Sequence, residues 1–137
     1  MIAVDSNILV YLLLNVEYTA RARALLEFDA DWHSDAFVLV ELTNALATAM
    51  RVRGLPLQQA TAAVARAVGV IESGLHMADH ADVLALAAHL RVSAYDARFL
   101  VVARDLGVRL VTEDAKLRRA APTLTQTLAE ALEGRDR

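Results

Sequence analysis

The chain has 137 residues, a usual length for one domain, and 56% of them are hydrophobic, which excludes intrinsic disorder. Its formal net charge of −3, from 14 Lys and Arg against 17 Asp and Glu, excludes a protein held to nucleic acid by bulk positive charge. The lack of cysteine excludes disulfides and thiolate metal sites, and is compatible with a reducing cytosol. No run of about 20 apolar residues is present, so no membrane span is predicted. We therefore expect a cytoplasmic protein forming a single domain over 1–137.

Short apolar runs alternate with amphipathic segments, in the order that strands and helices take in an α/β protein. Strands are predicted over 2–4, 32–33, 75–77 and 108–111. Helices are predicted up to residue 14 and over 19–28, 36–52, 58–71, 81–90 and 95–106, with a short helix from Asp114 and a strand or helix over 124–132. Ser6 or Asn7 is the expected cap of the first helix, and Ser34 or Asp35 that of the third. The pattern indicates a layered fold with a mainly parallel sheet.

Three aspartates stand where functional side chains of α/β proteins gather, beyond the carboxyl ends of strands. Asp5 ends the first strand, Asp114 follows the strand over 108–111, and Asp96 lies in the first turn of its helix. Asp5 and Asp114 should therefore project at the same edge of the sheet, and Asp96 can join them if its helix packs alongside. Each could instead be a simple helix cap, which stabilises a helix by about 1 kcal/mol.

Glu41 lies in the middle of a predicted helix that is apolar nearly all round, with no Lys or Arg within one turn. An unpartnered buried carboxylate costs several kcal/mol, so Glu41 needs an explanation. An arginine from elsewhere, an exposed position on an interface helix, or a metal ion shared with other carboxylates would each provide one. Several acids at one sheet edge repel one another without a cation, and oxygen ligands without cysteine suit Mg²⁺ or Mn²⁺. The acids indicate metal-dependent phosphate or phosphodiester chemistry.

Four segments of the chain match one known family in order and spacing. They are 4–12, 40–46, 93–100 and 110–117, which read VDSNILVYL, VELTNAL, SAYDARFL and LVTEDAKL. These segments resemble the PIN-domain ribonucleases, and most closely the VapC toxins of bacterial toxin–antitoxin modules, over essentially the whole chain. The resemblance implies a PIN-like three-layer α/β/α fold, with a short, mainly parallel sheet flanked by helices.

The resemblance also implies which residues act. The catalytic, metal-binding pocket for Mg²⁺, with Mn²⁺ as a substitute, would consist of Asp5, Glu41, Asp96 and Asp114. Asp5 and Asp96 would be direct ligands, while Glu41 and Asp114 would complete the shell, orient waters or hold a second ion. Glu113 stands beside Asp114, and the Thr-x-Asp spacing favours Asp114 as the pocket residue.

Other residues would support the pocket or the substrate. The resemblance implies that Asn7 and Thr112 are supporting polar groups. Basic residues that flank the pocket in sequence and could hold a phosphate backbone are Arg98, Lys116, Arg118 and Arg119. The alternative for each basic residue is an ordinary solvated helix face.

The activity implied by the resemblance is hydrolysis of single-stranded or looped RNA by a metal-activated water, without a covalent intermediate. Such an Mg²⁺-dependent endoribonuclease toxin would form a homodimer and bind a cognate VapB-like antitoxin that covers the site. Two other classes fit the acids alone. A metal-dependent small-molecule phosphohydrolase would turn over a generic phosphomonoester, and a non-enzymatic interaction domain would not bind Mg²⁺ at all.

Overall fold

The computed structural model describes residues 1–134, and the last three residues of the domain expected over 1–137 lie outside the described residues. Five short strands form one sheet with the order β3-β2-β1-β4-β5, in which every neighbouring pair is parallel. The strands are β1 (Ile2–Val4), β2 (Trp32–Asp35), β3 (Leu75–His76), β4 (Leu110–Val111) and β5 (Thr125–Gln126). The parallel sheet flanked by helices is the three-layer α/β fold expected from the sequence.

Eight α-helices in residues 1–134 connect and cover the strands. They are α1 (Ser6–Leu13), α2 (Thr19–Phe28), α3 (Phe37–Arg53), α4 (Leu57–Ile71), α5 (His80–Leu90), α6 (Ala94–Leu106), α7 (Ala115–Ala120) and α8 (Leu128–Glu133). A parallel sheet needs such crossover helices, because the chain must return to the same end of the sheet before each new strand begins. Within residues 1–134, none of the helices combines the length and the apolar character needed to cross a membrane.

Most element boundaries lie within one or two residues of the predicted ones, and the differences have local causes. The cap of α1 is Asp5 instead of Ser6 or Asn7, since the Asp5 carboxylate accepts the Ser6 N–H at 2.7 Å. Val108 does not extend β4, because its N–H closes the end of α6 by donating to the Ala103 carbonyl. The segment over 124–132 contains both a strand and a helix.

The sheet brings the ends of β1 and β4 together. Val4 lies opposite Val111 in the register of this central strand pair, so the residues that follow them leave the sheet side by side. The Asp5 N–H donates to the Val111 carbonyl at 3.0 Å and continues the pairing by one residue. Helix α6 packs against β1, β2 and β4, which sets its first turn beside the same edge. The topology therefore brings together the strand and helix ends at which the sequence has acidic residues.

Gly74, immediately before β3, allows a close approach to the backbone of β2. A Cβ atom at Gly74 would lie 2.0 Å from the Trp32 carbonyl oxygen, a backbone atom of β2 that cannot rotate away. We expect Gly74→Ala to lower the free energy of unfolding by about 1–3 kcal/mol or more. The measurement is the urea midpoint of the purified variant.

Gly69→Ala is the matched control for Gly74→Ala. Gly69 lies within α4, and an added Cβ there meets no atom within 4 Å. Alanine favours a helix over glycine by up to about 1 kcal/mol, so this variant should gain stability. Equal midpoints for the two alanine variants would contradict the close approach at Gly74.

Candidate active site

Asp5 is a buried carboxyl group at the edge where β1 ends, with only 5% of its surface exposed. One carboxylate oxygen accepts the Ser6 N–H, and the other accepts the Thr112 hydroxyl at 2.8 Å. Burial raises the pKa of Asp5 to about 6, although the hydrogen bonds from Thr112 and Ser6 act in the opposite direction. A nearby cation would favour the charged form of such a group.

Glu41 and Asp96 bring further negative charge to Asp5. Both are half-buried, Glu41 on α3 and Asp96 in the first turn of α6, and both add to the raised pKa of Asp5. Burial also raises the pKa of Glu41, which the charge of Asp96 raises further and a hydrogen bond from the Ser6 hydroxyl lowers. The neighbours of Glu41 are thus a hydroxyl and other carboxylates, which favours a shared cation among the three explanations for its position.

Asp114 completes the group of four through its effect on Asp96. Burial raises the pKa of Asp96, the charge of Asp114 raises it further, and Ser93 and Lys116 lower it. Asp114 caps α7, because its Oδ1 accepts the N–H groups of Lys116 at 3.0 Å and Leu117 at 3.2 Å. Asp5, Glu41 and Asp96 therefore act electrostatically on one another, and Asp114 joins them through Asp96.

Glu113 and Asp114 are adjacent in the chain but serve different places. The Glu113 carboxylate accepts the N–H of Leu128 at 2.8 Å, at the beginning of α8. This contact holds Glu113 toward α8, while Asp114 acts on Asp96. Asp114 is therefore the acid of this pair that faces the candidate site.

Thr112 and Asn7 link the acids through hydrogen bonds. The Thr112 hydroxyl oxygen accepts the Asp114 N–H at 3.1 Å and the Asn7 side-chain amide at 3.3 Å, while its proton is donated to Asp5. Asn7 on α1 and the Asp114 N–H hold the Thr112 hydroxyl, and this hydroxyl fixes the orientation of the Asp5 carboxylate. The supporting role that the resemblance implies for both residues stays a prediction.

The residues fit a hydrated divalent cation better than a closed protein cage. The Asn7 side-chain oxygen is buried and has no hydrogen-bond partner within residues 1–134, so it is free to accept from a metal-bound water. No three Asp, Glu or His side chains of the described part of the chain converge closely enough to hold an ion by themselves. Mg²⁺ usually keeps several waters and takes only one or two protein carboxylates, which this arrangement allows.

The basic residues predicted to flank the site differ in how available they are. Lys116 is exposed and close enough to lower the pKa of Asp96, and Arg119 is exposed on the same short helix. Arg118 is half-buried, and its Nε lacks a hydrogen-bond partner within residues 1–134. Arg98 is engaged in the fold, with its Nε donating to Asp35 at 3.0 Å. This pairing makes Arg98 a poorer candidate for holding a phosphate backbone than Lys116 or Arg119.

Asp35 is the important residue that the sequence predicts only as a helix cap. It lies at the end of β2, fully buried, and accepts from the Phe37 N–H at 2.8 Å, the Ala78 N–H at 3.0 Å and Arg98. These contacts tie the beginning of α3 and the first half of α6, the two helices that carry Glu41 and Asp96. Because Arg98 lies 63 positions away, a local sequence pattern cannot distinguish this ion pair from a cap.

The raised pKa of Asp5 predicts a pH-dependent stability of the metal-free protein. The folded state holds the Asp5 proton up to about pH 6, and the unfolded chain releases it near 3.8, so stability falls as pH rises between these values. The difference of about two pH units corresponds to about 3 kcal/mol. We expect Asp5→Asn in EDTA to be more stable than the wild type at pH 8, by up to this amount, and urea unfolding at several pH values measures it.

The gap between wild type and Asp5→Asn should shrink as pH falls toward 4 and close below 3.8, where the wild-type carboxyl group is mostly protonated in both the folded and the unfolded state. Asp105→Asn, at an exposed position of α6, should show no such pH-dependent gap. A gap of constant size across this range would contradict the assignment of the pH dependence to Asp5.

Comparison with known proteins agrees with the fold and the sequence segments. The family model for the PIN domain matches residues 2–122. The chain is similar to the crystal structure of PAE2754 from Pyrobaculum aerophilum, with a TM-score of 0.73 and 20% identity over 97% of this chain and 94% of that one. It is also similar to the crystal structure of FitAcB from Neisseria gonorrhoeae, with a TM-score of 0.66 and 19% identity over 93% of this chain and 96% of that one.

No curated protein gives a significant match to the chain. The two solved structures share less than 25% of their residues with it, so they establish the fold alone. The family match is broader evidence, because it spans most of the chain and includes all four acids of the candidate site. The chain therefore belongs to the PIN-domain family, a nuclease fold.

Proposed function

We propose that this PIN domain is an Mg²⁺-dependent endoribonuclease toxin of the VapC type. We also propose that residues 1–137 form a single domain. The observation that carries the proposal is the buried Asp5, whose pKa is raised by burial and by the neighbouring charges of Glu41 and Asp96. A site that concentrates negative charge in this way is suited to a divalent cation. A bound Mg²⁺ would supply charge stabilisation and lower the pKa of a water, the nucleophile that hydrolysis of the phosphodiester without a covalent intermediate would require.

The protein residues have distinct roles in this proposal. Asp5 and Asp96 bind the cation directly, and Glu41 and Asp114 complete its shell or orient water. Thr112 holds the Asp5 carboxylate in place, because its hydroxyl donates to Oδ2 while Ser6 N–H occupies Oδ1. Ser6 begins α1 and Thr112 directly follows β4, so both donors are fixed by the fold and Asp5 is oriented before a cation arrives.

The exposed basic residues favour a polyanionic substrate over a small phosphate ester. Lys116 and Arg119 are exposed on α7, whose first residue follows Asp114 directly. A phosphate on either side of the scissile bond can therefore meet a positive charge beside the acids. A small phosphomonoester has no second phosphate to use this helix.

The direct test is RNA cleavage by purified protein that is free of any partner. We expect new RNA 5′ ends in the presence of Mg²⁺ or Mn²⁺, none in EDTA, and none with Asp5→Ala. Turnover of a generic phosphomonoester with RNA left intact would instead support the small-molecule phosphohydrolase. Absence of Mg²⁺ binding to the wild type would exclude both enzymes and leave the interaction domain.

We further propose that the protein acts in the cytoplasm as a homodimer and is inhibited by a cognate VapB-like antitoxin. Large apolar side chains on α3 and α4 support a protein partner, since Val40, Val52 and Leu57 are all more than half exposed. Light scattering of the protein alone tests the dimer. Co-purification with the product of an adjoining small reading frame, with loss of RNA cleavage, tests the antitoxin.

A further inference from the structure

Phe37 and Tyr95 form a stacked aromatic pair beside the acids of the candidate site. Their ring centroids are 5.2 Å apart, and the ring planes are inclined by 17°. Phe37 begins α3 one helical turn before Glu41, and Tyr95 directly precedes Asp96 on α6. The pair therefore joins the two helices that contribute acids from outside the central strands.

The two rings differ in their exposure. Phe37 is half-buried and packs against the main hydrophobic core, whereas Tyr95 is 60% exposed although one face lies against Phe37. Large aromatic side chains are usually much more buried than this. Tyr95 thus presents a flat apolar surface to the solvent at the rim of the site.

Asp35 holds together the beginnings of the two helices that carry these rings. Its Oδ1 accepts the backbone N–H of Phe37 at 2.8 Å and the Nε of Arg98, one helical turn after Tyr95, at 3.0 Å. The two rings are therefore attached to helices that one fully buried carboxylate ties together. A preorganised surface loses little conformational entropy when a flat ligand stacks on it.

We propose that Tyr95, supported by Phe37, is a stacking platform for one unpaired base of the RNA next to the scissile phosphate. The inference rests on the proposed function, because only a nucleic-acid substrate brings a base to this rim. Tyr95 directly precedes Asp96 in the first turn of α6, so the platform is carried by the same helix start as an acid of the site. Each base of a duplex is covered by its neighbours on both faces, so the platform selects single-stranded or looped RNA.

The test measures binding of a fluorescein-labelled single-stranded RNA by anisotropy, in an Asp5→Asn background that does not cleave it. Tyr95→Ala should weaken the Kd by about fivefold to 100-fold, as expected for the loss of one base stack. Tyr95→Phe and Tyr95→Trp should keep the wild-type affinity, since both retain a flat ring. The control Leu84→Ala removes an exposed apolar side chain on α5 and should change nothing.

RNAs with a single abasic site, moved along the sequence, identify the base that stacks. One abasic position should weaken binding to the Tyr95 protein but not to Tyr95→Ala, because the platform is already lost there. Circular dichroism of each variant confirms that the fold is kept. If the alanine variant is unfolded, Tyr95→Leu tests the stack, because it keeps a large apolar side chain without a ring.

The outcomes separate the platform from the proposed function. Unchanged RNA affinity of Tyr95→Ala, with RNA cleavage by the otherwise wild-type protein, would overturn the platform and leave the endoribonuclease intact. Loss of dimer or antitoxin binding with unchanged RNA affinity would show that Tyr95 meets a protein partner instead. A wild-type protein that neither binds nor cleaves RNA would overturn both proposals.

Discussion

Asp96→Asn is expected to reduce RNA cleavage by more than about 100-fold in kcat/KM while leaving the protein folded. Substitution of residues that only support a metal ligand already costs about 10–100-fold, so loss of a direct ligand should exceed this. Asparagine keeps the size of the side chain, and the backbone N–H at this position still donates to the Ser93 cap at 3.1 Å. The change therefore removes a charge from the site and little else. Single-turnover cleavage over a range of Mg²⁺ concentrations measures the loss.

Asp105→Asn provides the matched control on the same helix. Asp105 is exposed and pairs with Arg104 at 3.4 Å, a surface contact worth little in stability. Cleavage by this variant should equal that of the wild type. In cells, sequencing of RNA 5′ ends after brief induction should show new ends for the wild type and Asp105→Asn but none for Asp96→Asn. Equal cleavage by both variants would remove Asp96 from the proposed metal ligands.

The positions of Asp5 and Asp114 follow from the sequence because the sheet rule is simple. Residues after adjacent parallel strands emerge at one edge, and the alternation of apolar runs and helices was enough to place both acids there. The hydrogen bond from Thr112 to Asp5 cannot be derived from the sheet rule, since 107 positions separate the two residues. Likewise, only the contact of Glu113 with α8 shows which of two adjacent acids faces the site.

The features missed by sequence reasoning depend on contacts between distant elements. The strand predicted over 75–77 is confirmed as β3, whereas 124–132 is predicted only as a strand or a helix, because the two residues of β5 are too few for a periodic pattern. The Phe37–Tyr95 stack forms only when α3 and α6 begin at the same edge. Asp35 is similar, because an acid before a helix has the same local sequence whether it caps the helix or pairs with Arg98.

Asp35→Ala is expected to lower the free energy of unfolding by about 3–5 kcal/mol, which is the usual cost of removing one partner of a buried ion pair. The substitution leaves the guanidinium of Arg98, only 15% exposed, without its carboxylate. It also removes the acceptor of two backbone N–H groups, those of Phe37 and Ala78. Urea unfolding measures the loss, and Asp82→Ala is the control because Asp82 and Arg104 pair at 3.9 Å on the surface, where about 0–1 kcal/mol is expected.

A double-mutant cycle separates the ion pair from the backbone contacts of Asp35. Asp35→Asn and Arg98→Met each leave one charge buried, whereas the double variant leaves none, so its loss should be smaller than the sum by about 0.5–3 kcal/mol. The double variant should still be less stable than the wild type, because an asparagine amide cannot accept the Ala78 N–H on its nitrogen side. Additive losses would show that Asp35 acts through the backbone N–H groups alone. In that case, the beginnings of α3 and α6, and with them Glu41 and Asp96, would not be held together by charge.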